Sequence, residues 1–338
     1  MSRIFLHGCG AVSPAGWGVS ALRAALSDAV PLATQPLVRP GQAQPLAVRR
    51  VPAPNPRPAF LAHPRLRRTS SITHFAVGAA VEALGADAAR VVTGEIRLGV
   101  IYCAFAGCVA YSRRFYDEVL RDPSTASPLI FPETVFNAPA SHLSAFLGTT
   151  AVNYTLIGDQ GEVIKALALA ADWLLADRVD GCLVVAAEEA DWLTADALRL
   201  FAPGVVAAEG AGAIYLRREP AAVELVSVSE PQLFLHARGR DEAAKCLARS
   251  LVMAGSEDDL LCDGLAGTAD DATEFAVWEN WTGRRCSPKR VLGEGLGAAG
   301  GWQLVAAADA IGRGEASRAV INVIGTNEQA VAAVLRRA

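Results

Sequence analysis

The 338-residue sequence predicts an α/β protein built of two similar halves, and three observations carry that expectation. Short β-prone runs alternate with helical stripes along the whole chain, the pattern of largely parallel sheets joined by right-handed crossovers. Each half closes on an apolar run followed by paired arginines, Arg217-Arg218 and Arg336-Arg337. That suggests a weak internal repeat, with one half over 1–218 and the other over 219–338. The third observation is the stretch 153–187, which reads strand, tight turn, apolar helix, strand. Its helix carries Val163, Leu167, Ala170 and Leu174 on one stripe and Ile164, Ala168, Ala171 and Leu175 on another, so it is apolar on most of its circumference and belongs inside the protein.

The other elements follow in order. Residues 3–9 form a strand, 10–18 a turn region and 19–26 a helix. Residues 31–64 are rich in proline and poor in periodicity, which reads as an irregular excursion. Three arginines at 65–68 lead into a helix over 71–84; they suit either a solvated helix entry or a carrier-protein contact. The near-continuous apolar run 97–104 is a strand covered on both faces. Helices are expected over 107–120 and 137–147, the second opening with Pro139, where a missing N–H costs nothing. Residues 181–187 and 205–217 complete the strands of the first half. In the second half, strands are expected at 223–228, 260–263, 319–324 and 330–335, and helices at 241–253, 273–281 and 297–311.

Composition excludes several classes. Half the residues are hydrophobic and a fifth are charged, too apolar a mixture for extended disorder. A net charge of -4 offers no basic footprint for nucleic acid or an anionic membrane. No apolar window is long enough for a membrane span, since the best candidate, 163–176, contains Lys165 and Asp172. The N-terminal residues have no signal-peptide pattern, which leads to a cytoplasmic expectation. Seven scattered cysteines without a CxxC pair read as reduced, mostly buried thiols. The histidines His7, His63, His74, His142 and His236 have no metal-ligand spacing, so no metal is expected.

The motifs GCGAVSPAGWG at 8–18, FPETVFNAPASHLSAFLG at 131–148 and LGAAGGWQLVAAADAI at 296–311 resemble, in order and approximate spacing, the β-ketoacyl synthases of fatty-acid and polyketide assembly. The resemblance extends over nearly the whole chain. It implies a thiolase fold, two similar α/β halves in a five-layer αβαβα sandwich, normally dimeric around the strand and helix that carry the nucleophile. It implies no cofactor. The chain is shorter than typical members, chiefly between Trp192 and Glu209.

Condensation in that family needs a cysteine at the strand-to-helix elbow, to take the acyl chain as a thioester, and two histidines for decarboxylation and enolate stabilisation. Here the elbow residue is Gln160, which follows Asn153-Tyr154-Thr155 as the family cysteine does. Counting back from Asp271-Ala272-Thr273-Glu274 puts Asp263 at the first histidine position, and Lys289 and Gly297 bracket Glu294 at the second. Glutamine cannot hold a thioester, and ionised acids repel a malonyl carboxylate or an enolate. In the C-terminal loop, Val323 and Ile324 stand where the family has phenylalanine and glycine, leaving Gly325-Thr326-Asn327.

A glutamine at the elbow matches the chain-length factors of type II polyketide systems and the similar inactive partners of aryl-polyene pathways. The resemblance therefore implies a non-catalytic subunit paired with an active ketosynthase, reached by an acyl carrier protein through that complex. Phe131, Phe136 and Leu156 are candidates, with Gln160, for the acyl tunnel or the subunit interface; plain core packing is the alternative. A second function is malonyl decarboxylation. A third is an acid site assembled from Asp159, Gln160, Glu162, Asp263 and Glu294, whose like charges would raise some of their pKa values; against it stands a closed pocket in which these acids are paired or solvated.

Overall fold

The computed structural model describes residues 3–235, 237–251, 255–326 and 328–338. His236, Asn327 and the end of the helix expected at 241–253 lie outside the described residues.

Ten strands fall into two sets of five with one common plan. In the first half, β1 (Ile4–Ser13), β2 (Leu98–Ala104), β3 (Asn153–Ile157), β4 (Gly181–Glu188) and β5 (Gly210–Arg217) lie in the order β1-β5-β4-β2-β3. In the second, β6 (Val223–Val228), β7 (Asp259–Cys262), β8 (Arg284–Cys286), β9 (Arg318–Ile324) and β10 (Gln329–Arg337) lie in the order β6-β10-β9-β7-β8. Position by position the two orders coincide, and so do the directions. The first, fifth and fourth strands of each half pair antiparallel, whereas the fourth, second and third pair parallel. The two sets meet where Ile4, Phe5 and Leu6 of β1 pair with Leu225, Glu224 and Val223 of β6.

Helices fill the layers between and outside these sheets. The first half contributes α1 (Val19–Asp28), α2 (Ser71–Leu84), α3 (Ala138–Leu147), α4 (Glu162–Leu175) and α5 (Trp192–Phe201). The second contributes α6 (Ala237–Leu251), α7 (Ala272–Val277) and α8 (Gly297–Gly312). Helices α2 and α3 cover the outer face of the first sheet, burying Ile72, Ala76, Ala80 and Leu143 against Val100, Tyr102 and Val185. Helix α6 covers the outer face of the second, with Leu247 against Ala330 and Ala332. Between the sheets lie α4 and α8, in one core with Ile101, Val184, Ile214, Ile321 and Val331. The result is the five-layer αβαβα thiolase fold.

Helix α8 shows why its sequence is so poor in large polar residues. Apart from its C-terminal end and the half-buried Ala306 and Asp309, it is buried, as a largely apolar helix must be. A Cβ on Gly300 would lie 2.6 Å from the carbonyl oxygen of Gln160, and one on Gly212 of β5 would lie 2.5 Å from the carbonyl carbon of Gly301. The backbones touch, so only glycine fits. Two polar side chains that α8 buries donate in opposite directions, although Gln303 Oε1 is buried without a partner. Trp302 donates its indole N–H to the carbonyls of Val12 (3.0 Å) and Ala211 (3.2 Å), and Gln303 Nε2 donates to Cys262 (3.2 Å) and Asn322 (2.9 Å). One side chain grips the first sheet and the next grips the second.

Three local expectations need correction. The excursion at 31–64 contains the strands Gln35–Leu37 and Leu46–Arg49, which form a small sheet with Ala207–Ala208. Pairing with so distant a partner leaves no local periodicity. The strand expected over 205–217 is broken at Glu209, where Gly210 takes φ 150°. The segment after Trp192, for which no element was expected, forms helix α5. Its signal was present in the sequence: Asp191 and Thr194 form a capping box, with Asp191 accepting from Leu193 N–H at 3.1 Å and donating its own N–H to Thr194 Oγ1 at 3.2 Å.

Substituting Gly300→Ala should cost about 1–3 kcal/mol by overpacking against the elbow. Thermal unfolding checks this; an unchanged midpoint would contradict the close packing of α8 on Gln160.

Candidate functional site

The elbow between β3 and α4 is held by the loop that joins β9 to β10. Asp159 is buried, and its carboxylate accepts from the N–H groups of Gly161 (3.0 Å), Glu328 (3.1 Å) and Gln329 (3.3 Å). Burial raises its pKa, against the opposing pull of those donors. A Cβ on Gly325 would fall 1.7 Å from Asp159 Oδ2, so the loop can close on this carboxylate only with glycine there. Glu162, at the start of α4, accepts from Lys165 Nζ (2.7 Å) and Gln329 Nε2 (3.0 Å).

Gln160 is buried at the centre of this arrangement. Its Nε2 donates to Thr326 Oγ1 at 2.9 Å, and its Oε1 accepts from Thr326 N–H at 3.2 Å. Both ends of the amide are thus occupied by one residue of the loop. The side chain at the elbow acts as a latch, and an amide has no group able to attack an acyl carbonyl.

The two acids at the histidine positions have separate surroundings, and no hydrogen bond among the described residues joins Gln160, Asp263 and Glu294 to one another. Asp263 follows β7. Its N–H donates to the Cys286 carbonyl (3.0 Å), its Oδ1 accepts from Leu265 N–H (3.3 Å), and the Ser287 hydroxyl bonds its buried carboxylate. Burial raises its pKa. Glu274 of α7 accepts from Gly264 N–H (2.9 Å) and Asn322 Nδ2 (2.6 Å). Burial first, and then the neighbouring Asp263, push it up to about 7. Glu294 instead forms a buried ion pair with Lys289 (2.8 Å) and accepts from Leu296 N–H (2.8 Å). With Arg49, Gly204 and Gly267, this pair lines a cleft of about 300 Å³.

Sequence reading missed a further set of acids at the end of β4. Burial pushes Glu188 up to about 8 and Glu189 up to about 7. Glu188 accepts from the N–H groups of Phe105 and Ala106, and Glu189 from Ala110 N–H at 2.9 Å. Gly297, at the N-terminus of α8, also points its N–H at Glu188. Two acids closing a fully buried apolar strand were the available signal, because such acids must find backbone donors. Among the described residues no cluster of histidine, cysteine or acidic side chains has a metal-binding arrangement, and no helix is long and apolar enough to cross a membrane.

The remaining candidates lie at the surface. Phe131 is 57% exposed and Phe136 39%, and Leu156 is half-buried, so the two phenylalanines are not core residues. They share this exposure with Tyr154 (49%) and Ile157 (54%) of β3, which ends its sheet with a single neighbour, β2.

No protein-family model matches the sequence, and no curated protein matches it. Solved structures do. A chain of the ishigamide ketosynthase/chain length factor superposes with a TM-score of 0.82 at 20% identity, over 99% of both chains. A ketosynthase in complex with its chain length factor from Xenorhabdus doucetiae gives 0.77 at 15% identity, over 100% of this chain and 98% of that one. A type II polyketide acyl-carrier protein in complex with its ketosynthase bound to the hexaketide gives 0.79 at 15% identity, over 100% and 99%. The fold of this chain is that of the ketosynthase and chain-length-factor structures.

Two expectations follow from the buried acids. Lys289→Met leaves Glu294 buried and unpaired and should cost about 3–5 kcal/mol, whereas the double variant Lys289→Met/Glu294→Leu should recover most of the loss; chemical denaturation of the three proteins measures it. The second concerns pH. Because the folded-state pKa of Glu188 lies near 8 instead of 4.5, the folded chain holds more protons than the unfolded chain between those values. Stability therefore falls as pH rises through that window. Glu188→Gln should flatten the fall of the thermal midpoint between about pH 7 and pH 8.

Proposed function

We propose that this chain is a non-catalytic, chain-length-factor-like subunit that pairs with an active β-ketoacyl synthase and shapes the acyl tunnel of a type II polyketide or aryl-polyene-type pathway. The observation that carries this reading is Gln160, bonded at both ends of its amide to Thr326 in the place where a condensing enzyme needs a thiolate. Asp263 and Glu294 add to it, as acids where two histidines would serve. The solved relatives named above include ketosynthases assembled with a chain length factor or an acyl-carrier protein. An exposed terminal strand supports a protein partner for this chain too. Unpaired strand edges with apolar side chains are normally covered, and β3 presents Tyr154 and Ile157, while Phe131 and Phe136 are exposed as well. In this reading Phe131, Phe136 and Leu156 border the interface and the tunnel, and the carrier protein reaches the complex through the ketosynthase.

One observation favours a second reading, in which the old pocket does acid–base chemistry. Burial and the neighbouring Asp263 push Glu274 up to about 7, and burial raises Asp263 as well. A buried acid held near 7 can take or give a proton near neutral pH.

Co-expression with the candidate ketosynthase, followed by size-exclusion chromatography and acyl-loading assays, separates the two. The subunit reading expects a stable complex, disrupted by Tyr154→Lys/Ile157→Lys, and acyl loading on the partner that survives Gln160→Ala. No complex, together with a turnover by the isolated chain that is lost in Asp263→Asn, would transfer the function to the acid pair.

A further inference from the structure

Away from the elbow, a cleft of about 1110 Å³ opens between α1, the β7–β8 edge of the second sheet, the short helix Pro288–Leu292 and the C-terminal turns of α8. At that volume it lies at or above the upper end of small-molecule sites, roughly 300–1,000 Å³. Its floor is apolar, with Leu22, Leu26, Leu260, Leu265, Val291 and Ala310. Its walls carry five arginines, Arg23, Arg284, Arg285, Arg290 and Arg313, against three acids, Asp271, Asp309 and Glu315.

The acids are already engaged. Asp309 holds Arg23 (2.7 Å) and Arg313 (3.1 Å), and Arg313 also pairs with Glu315. Asp271 accepts from the backbone N–H groups of Ala266 (2.9 Å), Gly267 (2.7 Å) and Thr268 (3.2 Å). Three arginines are left with no carboxylate partner among the described residues. Arg284 donates to the Glu315 carbonyl at 2.9 Å, and Arg285 to the Trp278 carbonyl. Neutral carbonyls satisfy N–H groups without cancelling charge. Arg285 also lies 5.6 Å from the ring centre of Phe275, an aromatic residue 55% exposed on the same cleft. Arg290 is exposed and borders both this cleft and the smaller one beside Lys289 and Glu294.

An apolar floor beside unpaired guanidinium groups selects for a ligand with both characters. We propose that this cleft binds an amphipathic anion, an apolar chain with a terminal phosphate, the chain over Leu22, Leu26 and Val291 and the phosphate on Arg284, Arg285 and Arg290. The planar guanidinium fork matches phosphate oxygens in pairs, which a point charge does not. The inference does not depend on the subunit reading, since none of these residues belongs to the elbow or the exposed strand.

The test uses the full chain, alone or in complex with its ketosynthase, and titration calorimetry with dodecyl phosphate, dodecanol and inorganic phosphate. Dodecyl phosphate should bind, and the alcohol and the free anion should each bind about tenfold more weakly or worse. Arg284→Ala/Arg290→Ala should weaken dodecyl phosphate binding by about tenfold or more. If that double variant does not fold, Arg290→Glu, at an exposed side chain, carries the same expectation. Equal affinity for dodecanol, equal affinity for inorganic phosphate, undiminished binding by the folded variants, or no binding of dodecyl phosphate overturns the proposal.

Discussion

The contact of α8 with both sheets is the constraint on which the rest of this structure depends. A helix wedged between two sheets is open only along the cleft beside Ala306 and Asp309, so its other polar donors must find partners inside the protein. The indole of Trp302 and the amide nitrogen of Gln303 do this in opposite directions, one to β1 and β5, the other to β9 and the end of β7. Small residues let the helix approach closely enough for those bonds to form, with Gly300 against the Gln160 carbonyl and Gly301 against Gly212. The position of the elbow is therefore set from beneath by α8, whatever chemistry its side chain can perform.

The same elbow is set from above by the loop after β9. Asp159 gathers three N–H groups, and Gln160 gathers both polar groups of Thr326. A catalytic thiolate must stay accessible to its substrate, whereas a side chain bonded at both ends stabilises the join between the two halves. Gln160 has the second of these arrangements. Glu294 is a comparable case, since it is ion-paired with Lys289 at the edge of the smaller cleft and its carboxylate is held by Leu296 N–H. Asp263 differs, its buried carboxylate lying beside Glu274 and bonded by Ser287.

Several elements were legible in the residues because their cause is local. The apolar stripes of α2 and α4 and the unbroken apolar runs of β2 and β4 report burial directly. The short sheet at Gln35–Leu37 and Leu46–Arg49 was not legible, because its register comes from Ala207–Ala208, far along the chain. Helix α5 was legible and was overlooked; the Asp191–Thr194 cap marks its start. Glu188 and Glu189 were visible as residues but not as buried acids, since their donors come from Phe105, Ala106 and Ala110 on other segments.

By itself the sequence determined the two-part α/β plan and that the elbow carries Gln160, an amide without a nucleophile, because periodicity and side-chain chemistry are properties of single residues and their near neighbours. The tertiary structure decided what the replaced residues do. It separated Gln160, Asp263 and Glu294 into three environments, brought Phe131 and Phe136 to the surface, and left Arg284, Arg285 and Arg290 around an apolar cleft. Those outcomes depend on which distant backbone groups and charges face each side chain, and only the packing of the five layers specifies that.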